Sequence, residues 1–286
     1  MKFAIDVPNH AEYGDPHLLV ELAVDAEKAG WDGFFIWDHL LKYQDNRVPV
    51  ADPWIVLSAI ASKTERLRIG PMVTPLARRR PWKVARETVT LDHLSGGRLI
   101  FGVGLGARSR AEFSNFGDEG DPKIRGAMLD EGLEVLSSLW KGEPFIHQGE
   151  YYQVEETLFM PQPLQSPRIP IWVAGTWPNK KPFLRSVGWD GAFPLWMGQG
   201  HSDMMPVDQM RAVIEYLETC RVDDRPFDIV HLGITPGIDR VEDAKIVTPY
   251  QQAGVTWWLE NLNPTRGSLE EMRRRIMMGP AWVDME

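Results

Sequence analysis

Gly33-Phe34-Phe35-Ile36-Trp37 is a short apolar run, and Asp52-Pro53 opens the helical stretch Trp54 to Lys63 that follows it. Aspartate is a favoured N-cap, and proline is pre-shaped for the first helical position. The same order stands one step earlier: Phe3 to Val7 reads as a strand, and Asp15-Pro16 opens a helix that closes at Gly30. Leu18, Leu22 and Ala26 mark the apolar face of that helix. Two consecutive units with one opening signal predict a βα repeat.

The rhythm continues outward from there. Leu67 to Gly70 reads as a third strand, followed by a helix from Pro81 to about Leu94 that Ser95-Gly96-Gly97 terminates. Leu99 to Val103 is a fourth strand, and the helix from Ile124 to Trp140 carries Leu129, Leu133, Leu136 and Trp140 on one face. Later strands read at Ile171 to Ala174, Asp190 to Phe193, Ile229 to Ile234 and Val255 to Leu259. Helices fall near Lys181 to Val187, Asp208 to Thr219, Glu242 to Gln252 and Leu269 to Met277. Residues 143–169 interrupt the pattern with Phe145, Tyr151, Tyr152 and Val154, and four prolines follow from Pro161 to Pro170. This stretch predicts an inserted hairpin and extended segment. Eight βα units predict one α/β domain over residues 1–286, a (β/α)8 TIM barrel with an insertion at about 143–169; a doubly wound open sheet is the alternative.

With 43% apolar and 25% charged residues in 286, the chain can bury a core and is not disordered. Forty acidic against 31 basic residues give a formal charge of −9, the wrong sign for a nucleic-acid binder. Cys220 is the single cysteine, which excludes an intrachain disulfide and any zinc site needing two cysteines. Met1-Lys2-Phe3-Ala4-Ile5-Asp6 meets an acid at its sixth residue, and no apolar run approaches the ~18 residues that span a bilayer. No signal peptide and no membrane partner are expected, and a reducing cytoplasmic setting is.

Gly102-Val103-Gly104-Leu105-Gly106 follows a strand but matches neither G-x-G-x-x-G nor a Walker loop. It reads instead as a strand end where glycine admits a ligand or a neighbour. His10, His17, His39, His93, His147, His201 and His231 form no metal-binding pair, and no G-x-S-x-G elbow exists. Barrel enzymes build their sites at the C-terminal strand ends. Here these carry Asp38-His39, Pro71 to Pro75, Gly104 to Arg110, Gly175-Thr176-Trp177 and Trp196. Such an aromatic, glycine-lined mouth suits a flat ring system, although ordinary packing would equally account for the tryptophans. Pro71 must end or bulge its strand, because proline removes a ladder donor. Arg78-Arg79-Arg80 stands before a helix start, either as an anion site or as a solvated turn.

Several blocks together resemble the bacterial luciferase-like oxidoreductases. They are Ala29 to His39, Asp52-Pro53-Trp54, Leu91-Asp92-His93-Leu94-Ser95-Gly96-Gly97-Arg98-Leu99, Gly102 to Gly106, Trp140 to Pro144, Gly149 to Tyr152, Pro161-Gln162-Pro163 and Ile169 to Gly175. The match covers residues 1–195 well and the rest loosely. The resemblance implies an interrupted (β/α)8 barrel that binds reduced FMN or the 8-hydroxy-5-deazaflavin coenzyme F420 at its mouth. It also implies His39 at the ring or substrate as the catalytic group, and a strand-three bulge at Pro71-Met72 that in many members carries a non-prolyl cis peptide. The expected cofactor-binding set is Asp38, Pro71, Met72, Thr74, Arg80, Gly104, Gly106, Gly175 and Thr176. Sugar-phosphate dehydrogenases of the deazaflavin branch carry a glutamate where this chain has Ala107.

The expected function is therefore hydride transfer or monooxygenation of a small organic substrate with FMN or F420. A barrel isomerase or hydrolase of a phosphorylated metabolite, working through Arg78 to Arg80, competes with it, as does a non-catalytic flavin carrier. The expected partners are a small-molecule substrate, a separate flavin or F420 reductase and a second copy of the chain. No metal is expected.

Overall fold

Asp15 and Asp52 cap helices as their places before proline predict. Asp15 Oδ1 accepts from the His17 amide, and Asp52 Oδ1 accepts from the Trp54 and Ile55 amides. The computed structural model describes residues 1–41, 48–107, 109–196 and 204–282. Its first half runs β1 (Lys2–Val7), α1 (Pro16–Lys28), β2 (Gly33–Ile36), α2 (Pro53–Lys63), β3 (Arg68–Pro71), β4 (Thr74–Pro75), α3 (Pro81–Ser95), β5 (Phe101–Gly104), α4 (Ser109–Glu112) and α5 (Pro122–Leu139). The second half runs β6 (Phe145–Gln148), β7 (Gln153–Thr157), β8 (Ile171–Trp177), α6 (Lys181–Ser186), β9 (Gly191–Trp196), α7 (Val207–Cys220), β10 (Asp228–Gly233), α8 (Arg240–Ala253), β11 (Trp257–Asn261) and α9 (Leu269–Met278).

One nine-stranded sheet has the order β3-β2-β1-β11-β10-β9-β8-β5-β4, with every pair parallel. Its two ends meet. Ile69 bridges Leu99, its amide donating to the Arg98 carbonyl at 3.1 Å while the Ile100 amide donates to the Ile69 carbonyl at 2.9 Å. This seam closes the sheet into a barrel and disposes of the open-sheet alternative. Gly70 is required there, because a Cβ would stand 1.9 Å from the Ile100 carbonyl oxygen. β3 and β4 are two pieces of the third barrel strand. They are separated at Met72–Val73, whose peptide bond is cis, directly after Pro71 ends β3.

Alternation along the strands divides the core. Phe35, Trp172 and Trp257 fill the barrel interior, with ring centroids 5.2–6.1 Å apart, alongside Ala4, Ile100, Val230 and Leu259. Outward residues such as Ile5, Phe34 and Ile69 pack against the helices. On α1 the buried face is Leu19, Leu22, Ala23 and Ala26, whereas Leu18 is only half-buried. Leu22 and Ala26 thus lie on the predicted face, and Leu19 takes the place expected of Leu18, since Leu19, Leu22 and Ala26 fit the helical period together. The last barrel strand begins two residues later than predicted, because the Val255 amide still closes onto Tyr250 after the left-handed Gly254 cap of α8.

The insertion contains the expected antiparallel hairpin, β6 with β7. One carboxylate holds it: Glu131 of α5 accepts from the Glu150, Tyr151 and Tyr152 amides and meets His147 Nε2 at 3.1 Å. Among the described residues no helix is long and apolar enough to cross a membrane.

Candidate active site

The C-terminal ends of the barrel strands surround a cavity of about 390 Å³, within the ~300–1,000 Å³ usual for small-molecule sites. Its walls are mostly apolar. Met72 and Val73 come from the broken third strand, Gly104 to Ala107 from the end of β5, Ala174 to Thr176 from β8, and Phe193, Leu195 and Leu232 from β9 and β10. Asp6, Trp37, His39 and Glu112 supply polar atoms on the β1–β2 side. The glycines of the 102–106 run bring the broken strand close. A Cβ on Gly102 would stand 2.4 Å from the Pro71 carbonyl oxygen, and one on Gly104 would stand 2.9 Å from Val73 Cγ2.

His39 is fixed from both sides. Its carbonyl accepts from Asn9 Nδ2 at 2.7 Å and its amide donates to Asn9 Oδ1 at 3.2 Å. Its ring Nδ1 lies 3.0 Å from Glu112 Oε1, which also accepts from the Leu40 and Leu41 amides. Burial pushes the Glu112 carboxyl up, but His39, the Leu41 amide and Arg78 together outweigh it and hold the group below the usual glutamate value. A carboxylate only accepts, so His39 Nδ1 carries the ring hydrogen and Nε2 is left to serve a ligand in the cavity.

Behind this pair lies a buried ionic cluster. Asp38 accepts from Thr74 Oγ1 (2.8 Å), from Arg78 Nη2 on Oδ1 (2.7 Å) and from Arg79 Nη2 on both oxygens. Arg78 also lies 3.5 Å from Glu112 Oε2, so two arginines face two carboxylates. Neither early reading of the arginine run survives for these two residues. Arg78 and Arg79 form neither a solvated turn nor a free anion site, because their guanidinium groups are engaged by Asp38. Arg80 is exposed, immediately before α3, with its guanidinium over the Trp82 ring; it is not a wall of the cavity.

The other predicted positions divide likewise. Asp38, His39, Met72, Gly104, Gly106, Gly175 and Thr176 line the cavity. Thr74 is buried behind it as an Asp38 ligand, and Pro71 ends β3 without facing it. Trp177 packs against Phe183 and Tyr216, which is the ordinary packing reading, while Trp37 is the tryptophan that faces the cavity. His201 and Arg108 lie outside the described residues. Sequence reasoning missed Glu112, which sits on the four-residue α4 with no periodic signal to single it out. It also missed Asp6, where a signal existed: Ala4 and Asp6 share the inward parity of β1. Burial pushes the Asp6 carboxyl well above the usual aspartate range against the opposing hydrogen bond from Trp37.

Residues 1–184 match a family described as luciferase-like monooxygenase. An F420-dependent glucose-6-phosphate dehydrogenase of Nakamurella multipartita is 33% identical over 171 residues, 59% of this chain and 49% of that protein. The oxygenase component of a flavin-dependent trigonelline monooxygenase of Acinetobacter baylyi is 32% identical over 229 residues, 80% of this chain and 61% of its own length. The chain therefore spans about half to three-fifths of the length of these relatives. Among solved structures, an F420-dependent secondary alcohol dehydrogenase in complex with an F420-acetone adduct superposes with a TM-score of 0.78 at 17% identity, over 96% of this chain and 97% of that one. At that identity the likeness speaks for the fold.

Proposed function

The chain belongs to the luciferase-like monooxygenase family, and from that premise we propose that it is an oxidoreductase that works on a small organic substrate with reduced FMN or F420 held in the mouth cavity. The observation that carries this reading is the presentation of His39 by Glu112 at the edge of an apolar cavity walled by Met72–Val73. The residues present fit a planar ring. Flat apolar contacts come from Met72, Val73 and Ala174, and close backbone approach is possible along Gly104 to Gly106 and at Gly175-Thr176. When bound, the cofactor supplies the hydride or the activation of oxygen. The protein's part is to exclude water with Trp37, Phe193, Leu195 and Leu232, and to hold or move a proton at His39 Nε2.

Two features narrow the reaction. Ala107 is a wall residue and offers no carboxylate, which argues against sugar-phosphate oxidation. The engagement of Arg78 and Arg79 with Asp38 argues against the phosphorylated-metabolite isomerase or hydrolase. The name of the Acinetobacter relative, an oxygenase component, supports a separate reductase as the electron supplier. A homodimer in the cytoplasm completes the proposal, and light scattering after gel filtration reads the dimer. Fluorescence titrations with FMN and F420 test the cofactor; saturable binding of one is expected, and two flat titrations would sink the reading. Turnover under air and under nitrogen then separates oxygenation from hydride transfer and both from a passive carrier.

A further inference from the structure

Asp6 stands one inward step above Ala4 on β1, over the aromatic floor of Phe35, Trp172 and Trp257. Its side chain is 1% exposed yet forms part of the cavity wall. Oδ2 accepts from Trp37 Nε1 at 2.6 Å, whereas Oδ1 has no hydrogen-bond partner among the described residues. A buried polar atom left this way costs stability, and the bond to Trp37 occupies only one of the two carboxyl oxygens. The position around the barrel is also informative. The wall expected to hold the cofactor comes from β4, β5 and β8, and β1 lies diametrically opposite β8 in the strand order. Asp6 thus belongs to the side of the cavity that carries Trp37 and Leu232.

We propose that Asp6 is the substrate-recognition residue of this cavity, meeting with Oδ1 the one polar atom of an otherwise apolar, uncharged substrate. The proposal deepens the oxidoreductase reading and rests on it. The charge state of the carboxyl decides which polar atom that is. Burial acts on it with only Trp37 opposing. The titratable groups on the elements around it are His10, Asp38 and His39 at the ends of β1 and β2 and Glu112 of α4; the facing positions on β9, β10 and β11 are Phe193, Leu195, Leu232 and Asn261, all uncharged. Burial thus favours the protonated form of Asp6, in which the carboxyl can donate a hydrogen bond into the cavity. The matching substrate atom is an acceptor, a carbonyl oxygen or a ring nitrogen, and an anionic substrate is disfavoured by the same unpaired burial.

The test uses three probes of one shape on the full chain: cyclohexanone, methylenecyclohexane without the acceptor, and cyclohexanecarboxylate. Ligand-observed NMR gives their affinities for wild type, Asp6→Asn and Asp6→Leu. Wild type is expected to prefer the ketone over the alkene by about three- to tenfold, the usual worth of one neutral hydrogen bond, and to reject the carboxylate. Asp6→Asn, which keeps a donor, retains the preference, and Asp6→Leu loses it. In wild type the preference fades as pH rises and the acid ionises, while in Asp6→Asn it does not change. No ketone preference in wild type, an equal preference in Asp6→Leu, or no binding of any probe overturns the proposal. FMN and F420 titrations of the same samples keep the two readings apart. Lost cofactor binding with an intact ketone preference strikes the functional reading, and the converse strikes only Asp6.

Discussion

His231 provides a quantitative test of how the barrel is packed. It points outward from β10, wholly buried, stacked on Tyr250 of α8 at 4.2 Å and edge-on to Trp258 at 5.1 Å. Burial pushes its imidazole down from 6.5 to about 3. Above the unfolded value both states are neutral, so the residue adds no pH dependence there. Below it the unfolded chain takes up a proton that the native chain refuses, and stability falls as pH drops from ~6.5 towards 3. At ~1.36 kcal/mol per pH unit, the loss reaches about 2 kcal/mol at pH 5 and about 4 kcal/mol by pH 3, where the native imidazole itself begins to titrate. His231→Phe keeps a ring in the stack and removes the titration. Urea unfolding of both proteins at pH 7.5, 6.0 and 5.0 gives the difference, in which every other titrating group cancels. Tighter packing of the larger ring displaces the two curves by a constant and leaves their divergence intact. The variant should gain about 2 kcal/mol on wild type between pH 7.5 and 5.0. Parallel curves would refute the reasoning and mean that the native state accommodates a charged His231.

Three further outcomes follow from the mouth. His39→Ala should lower turnover by ~10²-fold or more, the scale of general acid–base contributions, while thermal melting stays near wild type; equal losses in both would make His39 structural. Arg78→Gln should cost ~1.5–3 kcal/mol in chemical unfolding, the worth of a hydrogen bond to a charged group, because Asp38 keeps Arg79 and Thr74 and Glu112 keeps His39 and the Leu40 and Leu41 amides, whereas Arg80→Gln should stay within ~0.5 kcal/mol with unchanged cofactor affinity at low and high salt. Gly102→Ala should displace the Pro71 carbonyl and Met72, weakening cofactor affinity more than it lowers the melting temperature, and an unchanged affinity would dissociate the broken strand from binding.

The barrel was legible because its signals are local and repeated. Asp15-Pro16 and Asp52-Pro53 announce helices, Gly96 and Gly97 end one, and Pro71 interrupts a strand wherever it is read. His39, Gly104 and Gly175 were found because strand ends are countable from the chain. Glu112 was not, since its partner His39 lies 73 residues away and α4 is too short to show a period. The arginine run was misjudged for a related reason. A triplet of cations next to a helix start looks solvated until the fold turns two of them inward onto Asp38, and only closure of the barrel does that.

The cluster of Asp38, Arg78, Arg79 and Glu112 has a consequence for how such a chain changes over generations. Two positive and two negative groups face one another with little access to water, so losing one leaves a charge imbalance that the remaining partners only partly satisfy, at a cost of ~1.5–3 kcal/mol, a sizeable share of the ~5–15 kcal/mol margin of a domain. No single replacement passes through that bottleneck without a compensating one. Across descendants of this chain the four identities should be inherited as a set or lost together, while the apolar wall at Leu195 and Leu232, which carries no such obligation, is free to drift and to retune what the mouth accepts.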